Sequence, residues 1–354
     1  MNEREILVSV GPSVTPGGTP QAEGFAMPAE WSPHAGCLMV WPTRRELWGD
    51  RFDDACRDYA LVAEAVAEVE PVVMVCPPGA EPVVKDLCGS GVTAVALPVD
   101  DSWARDSGPV FVTRADGEVA VVDFRFNAWG ERWHPYADDD ALAGRVADLL
   151  GLRVFRSSLV LEGGSFFVDG DGTLLTTEQC LLDPNRNPGL SRREIEEQLR
   201  EYLGVRTIVW IPYGHCLDVD PAGTDGHIDG VAQYVEPGHV VLELPSSPSS
   251  PDFLRSRENL AALERSFDAR GRQLTVSVLD PGSDPHVSYA NHYLANRRVV
   301  VPLSGSANDD RALGQLADLY PGYDIVGVPG EVIAHGGGGP HCITQQIPAG
   351  VSLP

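Results

Sequence analysis

The stretch HGGGGPHCITQQIP, His335 to Pro348, sets four consecutive glycines, a proline and a histidine directly before Cys342. Cysteine becomes a strong nucleophile once it is a thiolate, a state it reaches beside a general base or a cation. Glycines upstream remove side chains and let the backbone come close to a ligand. The plain alternative is a tight turn feeding a buried cysteine, and no Gly-Lys-Ser/Thr follows to make a phosphate loop. Three further segments carry matching chemistry. His227 and Asp229 in GHID flank Ile228, so on a strand both would face one side, a base beside an anion. Asp106 in SWARDSGP, between Trp103 and Pro109, reads as part of a shaped loop in which Trp103 and Arg105 could simply pack and pair. Glu162, followed by Gly163 and Gly164, adds a carboxylate that could equally satisfy loop amides. A zinc site would need more ligands at metal spacing than H-x-D and one remote Cys-His supply, so no metal is expected.

Carboxylates gathered around a thiol oppose its ionisation, and a cationic substrate restores the balance. A guanidinium fits best. It is planar and permanently charged, and its N–H forks match carboxylates in pairs while a sulfur attacks the central carbon.

Elements that could bring these segments together recur along the chain. Hairpin patterns occur at 110–124, 165–177, 231–244 and 292–303, each followed by an amphipathic helix pattern (139–150, 190–203, 255–269, 308–320) and a short apolar strand. CITQQIP at the C-terminus can pair with CLMVWP (37–42), ahead of a helix at 52–68 and the strand PVVMVC (71–76). The result is five ββαβ units in a ring, an α/β propeller with pseudo-fivefold symmetry, with an open α/β sheet as the alternative. Each polar motif sits just before or at the start of a hairpin: DDSWARDSGP, LEGG, TDGHIDG, SYANHY and GGGGPHC. Equivalent points of such a ring meet near its axis, so one central site is expected.

With these motifs in this order, the chain resembles the agmatine deiminases and bacterial-type peptidylarginine deiminases of the guanidine-modifying superfamily. The likeness runs from MPAEWSPHAG to HCITQQIP and includes FNAWG (126–130), LEGGSFFVDGDGTLLTTEQCLLDPNRNP (161–188) and SYANHYLAN (288–296). It implies a five-bladed α/β propeller, Cys342 as nucleophile, His227 as acid/base residue, and Asp106 and Asp229 as the carboxylates gripping the guanidinium. Trp103, Glu162, Asp225, Asn291 and Gly338 are the substrate-site residues it implies. Hydrolysis of agmatine to N-carbamoylputrescine and ammonia through a covalent thiouronium, without cofactor, is the implied reaction. Another guanidine as substrate, or amidino transfer to an amine, uses the same chemistry. Departures border the site: Gly339-Pro340 stands where the family typically has Asn-Ile, and Gly230 where GHVDN has an amide. A homo-oligomer is expected from the resemblance alone.

Composition bounds the rest. The 354 residues, 43% hydrophobic, suffice for one catalytic domain over 1–354, with 1–25 as a flexible lead and 245–251 as a loop. A formal charge of −25 argues against a nucleic-acid partner and suits a small cation, though it also serves solubility. Neither a membrane span nor a signal peptide is apparent, and seven scattered cysteines without C-x-x-C suggest reduced thiols; a cytoplasmic enzyme is expected.

Overall fold

The computed structural model describes residues 18–219, 222–282 and 286–354. Its strands form five separate sheets. In four of them a hairpin is followed by a helix and a parallel third strand: Val110–Arg114 and Val119–Arg125 with Arg153–Val160, Phe166–Val168 and Thr173–Thr177 with Thr207–Ile211, Ala232–Glu236 and His239–Glu243 with Thr275–Leu279, and Tyr293–Ala295 and Arg298–Leu303 with Asp324–Pro329. The fifth joins the chain's two ends. Thr344–Pro348 pairs antiparallel with His34–Val40, placing Thr344 opposite Met39, and Val72–Cys76 continues in parallel. The ββαβ repeat read from hydrophobic alternation is therefore present five times.

Helices cover these sheets with one apolar face each. In Arg192–Leu203 the buried residues are Ile195, Leu199 and Leu203, spaced by four, and Ser191 caps the start in a reciprocal box with Glu194. Phe52–Ala67 buries Tyr59, Val62, Ala63 and Val66 against Met39 and Met74. Expected boundaries hold to a few residues except at 255–269, where the helix is Phe253–Leu263. Asp268 ends that stretch as a turn, accepting from the backbone N–H of Arg270 (2.9 Å) and Arg272 (2.8 Å), a local bond that competes with helix. Elements that were not expected include the helix Glu81–Cys88 and the strand Val92–Ala96, the latter widening the sheet that joins the termini. Of the lead segment 1–25, residues 1–17 lie outside the described residues. Its end is built into the fold: Phe25 is buried and pairs with Arg114.

Each polar motif immediately precedes the first strand of its unit, so all five lie at one kind of position. Among the described residues no helix is long and apolar enough to cross a membrane. All seven cysteines are free thiols.

Candidate active site

Three segments meet at Gly164. A methyl group placed on its α-carbon would lie 2.7 Å from His227 Nδ1, 2.8 Å from Asp106 Oδ1 and 2.9 Å from Asp229 Oδ2. Only a glycine leaves room for that convergence, and its own N–H donates to Asp106 Oδ1 at 2.9 Å. Asp106 lies in a single helical turn, Ala104–Ser107, and its other oxygen accepts from Trp129 Nε1 at 2.9 Å. Trp129 supplies that bond from a left-handed backbone (φ 56°), a conformation a bulky side chain rarely adopts. His227 and Asp229 stand on a turn rather than on the strand their alternation suggested. The same-side placement survives: both side chains reach Gly164, while Ile228 between them is buried in an apolar cluster with Phe167 and Leu175.

Cys342 enters from the C-terminal segment. Its thiol donates to Asp229 Oδ2 at 3.2 Å and accepts from Asn291 Nδ2 at 3.1 Å. Asn291 also receives the His341 backbone N–H on Oδ1 at 3.1 Å, so one amide fixes the approach to the cysteine. A methyl on Gly338 would strike Trp103 at 2.5 Å and the Cys342 sulfur at 3.0 Å, and one on Gly339 would strike Asn291 Oδ1 at 2.6 Å. The glycine run thus lets Trp103 and Asn291 close on the cysteine. Trp103 is itself stacked on Trp48, with ring centroids 6.0 Å apart.

Charge is distributed as the chemistry requires. Burial, then the Asp229 and Asp106 carboxylates, push the Cys342 thiol well above its ordinary range, so it rests protonated. His227 has no hydrogen-bond partner on either ring nitrogen among the described residues; Asp106 Oδ1 lies 3.8 Å from one and Glu162 Oε2 4.0 Å from the other. Burial opposes its protonation, but Asp106, Cys180 and Glu162 outweigh that and raise it to about 10. An imidazolium therefore faces acids at neutral pH. Burial raises Asp106, whereas the bond from His341 keeps Asp229 below the usual carboxylate range despite burial.

Behind this set lies a chain of buried charge. His341 Nδ1 is 2.9 Å from Asp229 Oδ2, and its Nε2 is 2.9 Å from Glu30 Oε1, which also pairs with Arg105 Nη1 at 3.1 Å. Burial disfavours charge on Glu30, yet His341 and Arg105 draw it from 4.5 down to about 2. A carboxyl depressed in the fold contributes stability above its unfolded value and loses it as pH falls through about 2. Glu30→Gln is expected to cost about 3 kcal/mol near neutrality and to flatten the acid limb of stability below pH 4.5, read by urea unfolding at several pH values. A full-size acid limb in the variant would exclude Glu30 as its source.

Not every residue singled out by sequence reaches the substrate space. Glu162 is fully buried, with Oε1 held by Arg186 Nε at 2.6 Å. Asp225 is taken up by Arg132, by Asn185 Nδ2 at 2.7 Å and by Arg186 at 3.1 Å, and does not line the cavity. The cavity measures about 290 Å³ and is lined by His227, Asp229, Asn291, Gly338 and Cys342, and also by Asp218, Ser288 and His335; Trp103 and Asp106 instead line a narrow space that shares Cys342 with it. Sequence reasoning had not selected Asp218. Burial and the neighbouring carboxylates Asp229 and Asp252, partly offset by His227, raise it to about 7.

The family model of Porphyromonas-type peptidyl-arginine deiminases matches residues 26–348. The chain belongs to this family. A curated relative from Legionella pneumophila (strain Paris), provisionally named agmatine deiminase, is 40% identical over 344 residues, covering 94% of this chain and 98% of the relative. One from Streptomyces avermitilis with the same provisional name is 40% identical, covering 93% and 99%. Among solved structures, the agmatine deiminase of Enterococcus faecalis superposes with a TM-score of 0.89 at 35% identity, covering 94% of this chain and 98% of that one. This member of the deiminase family is a guanidine-modifying hydrolase with an α/β fold.

Proposed function

We propose that this deiminase is a single catalytic domain, a five-bladed α/β propeller whose axial site hydrolyses agmatine to N-carbamoylputrescine and ammonia. The observation that carries the reading is the convergence of a neutral thiol, an imidazolium and two carboxylates: Cys342, His227 and Asp229 line one small cavity, and Asp106 lines a narrow space that shares Cys342 with it. Asp106 and Asp229 hold the guanidinium nitrogens, and the arriving cation offsets the carboxylates that keep the thiol protonated. The thiol proton leaves to solvent through the cavity that Cys342 lines, and Cys342 Sγ attacks the guanidinium carbon. His227 gives its proton to the departing nitrogen, which leaves as ammonia, and the carbon remains bonded to sulfur as a thiouronium. Neutral His227 then takes a proton from water as the oxygen adds; breaking the C–S bond releases the ureido product, whose oxygen gives its remaining proton to the sulfur, so that the imidazolium and the thiol are both restored.

The second end of the substrate points to a diamine-like guanidine. A cavity of about 290 Å³ with Asp218 on its wall suits a short chain ending in a cation, and is small for a peptide. The relatives' provisional names and the Enterococcus faecalis enzyme support agmatine. Gly230 favours a second reading, a guanidine with a bulkier far end, because it lines the cavity and a side chain there would meet open space.

Ammonia release from agmatine, arginine, arginyl peptides and other alkylguanidines tests this directly, with and without added amines to reveal amidino transfer. Agmatine is expected to dominate, and Asp218→Asn to raise its KM by roughly tenfold while leaving kcat within a few-fold. Because the far cation pairs with ionised Asp218, KM in the parent enzyme should fall as pH rises through about 7, and the variant should lose that dependence. An unchanged KM in the variant would remove Asp218 from substrate recognition.

A further inference from the structure

A second group of donors lies in the wall between the active-site cavity and its neighbour. His215 lines both spaces, while Asp252, at the start of the helix Phe253–Leu263, lines the second, a cavity of about 170 Å³. Donor atoms of His215, Cys216 and Asp252 all lie within 4.8 Å of one another. His215 Nε2 is 3.1 Å from Asp252 Oδ2, and the Cys216 N–H donates to Asp252 Oδ1 at 2.7 Å. Asp252 is 5% exposed, and its Oδ2 has no hydrogen-bond partner among the described residues. A buried carboxylate oxygen that meets only the edge of an imidazole, with a thiol alongside and Arg255 Nε no nearer than 3.8 Å to its other oxygen, offers a position that a cation can take. The other nearby donor group, Glu162, Cys180 and His227, belongs to the catalytic site and already holds the Arg186 cation.

We propose that His215, Cys216 and Asp252 bind one thiophilic divalent cation of the zinc class, and that its binding weakens the hold of the active site on a cationic substrate. Thiolate, imidazole and carboxylate are the three ligand types zinc prefers, and a solvent molecule completes a tetrahedron. Binding displaces the Cys216 proton, so the dication is met by two anions where there was one. The local charge rises from −1 to zero, one proton being released for each metal bound. That change is felt in the substrate cavity through a short connection. The His215 N–H donates to Asp218 Oδ2 at 3.2 Å, and the Asp218 N–H donates back to the His215 carbonyl at 3.2 Å. Metal on His215 therefore competes with the pull of Asp218 on the far cation of the substrate. This kinetic consequence rests on the proposed role of Asp218; binding of the metal does not.

Cobalt(II), a spectroscopic stand-in for zinc, is titrated into the Cys342→Ala protein, in which the nucleophile cannot supply the thiolate. A thiolate-to-cobalt band in the near ultraviolet is expected, with strong visible bands of four-coordinate metal, saturating at one equivalent. Adding Cys216→Ala or Cys216→Ser should abolish the ultraviolet band in a protein whose circular dichroism is unchanged, and Asp252→Asn should weaken binding. Absence of the band, or its persistence without Cys216, overturns the site. In the parent enzyme zinc should raise KM for agmatine on the order of 3- to 10-fold with little change in kcat, and Cys216→Ala should be insensitive. Equal inhibition of the Cys216 variant would place the effect at Cys342 and overturn the coupling.

Discussion

Cys342→Ala is expected to lower guanidine hydrolysis by at least about 10⁴-fold, the scale of losing a nucleophile that works as one unit with its base. Global stability should stay within about 1 kcal/mol, because only a sulfur atom is removed from a pocket that borders the cavity. A sharper test concerns the state of the thiol before substrate arrives. Burial and two carboxylates hold Cys342 protonated, against the weaker pull of hydrogen bonds from the Gly339 backbone and the Asn291 amide. A neutral alkylating agent should therefore modify Cys342 slowly at neutral pH and faster as pH rises. A cationic alkylator of similar size should react far faster, because it brings the charge that lowers the thiol's proton affinity. Acid quench during turnover should trap a cysteine adduct with the mass of the amidino-bearing substrate fragment, absent in the variant. Rapid neutral alkylation at pH 6 would mean that the thiol is ionised at rest, and that the substrate is not what activates it.

How far the sequence announces this arrangement depends on what each residue contacts. Strand alternation and helix periodicity are local, and they gave the ββαβ repeat, including the pairing of CITQQIP with CLMVWP across the whole chain. Local signals failed where a side chain bonded its own backbone, as Asp268 does at the end of the shortened helix. That Cys342, His227, Asp106 and Asp229 come together was legible because a thiol, an imidazole and paired acids in separate motifs are recognisable by type. Glu30, Arg186 and Trp129 lie in quoted motifs, MPAEWSPHAG, DPNRNP and FNAWG, yet their roles are defined only by partners such as His341, Glu162 and Asp106. Nothing in the order of residues says that Glu162 spends one oxygen on Arg186 while Asp218 faces the cavity. His341, open between support and packing when read from sequence, proves to link Asp229 to Glu30 through both ring nitrogens.

Gly164 belongs to the same class, and its replacement by alanine is expected to have the second-largest effect. The backbone there is not left-handed, so alanine carries no conformational penalty of its own. Its methyl would nevertheless lie within 2.9 Å of His227 Nδ1, Asp106 Oδ1 and Asp229 Oδ2 together. All three are buried, and two of them are fixed by hydrogen bonds elsewhere, Asp106 by Trp129 and Asp229 by His341. At least one must move by several tenths of an ångström or more, and a displacement near 1 Å in a reacting constellation costs about 10²-fold in rate. The loss should fall mainly on kcat, since the proposed acid/base residue His227 and the proposed guanidinium carboxylates Asp106 and Asp229 are displaced from one another while Asp218 is untouched. Gly314→Ala is the control. That glycine lies in the helix Asp309–Leu319 with nothing within 4 Å of an added methyl, so alanine should leave activity unchanged and stabilise by about 0.5–1 kcal/mol. Retention of full kcat in Gly164→Ala would mean that His227, Asp106 and Asp229 need not be held together for turnover, which no mechanism using all three at one carbon allows.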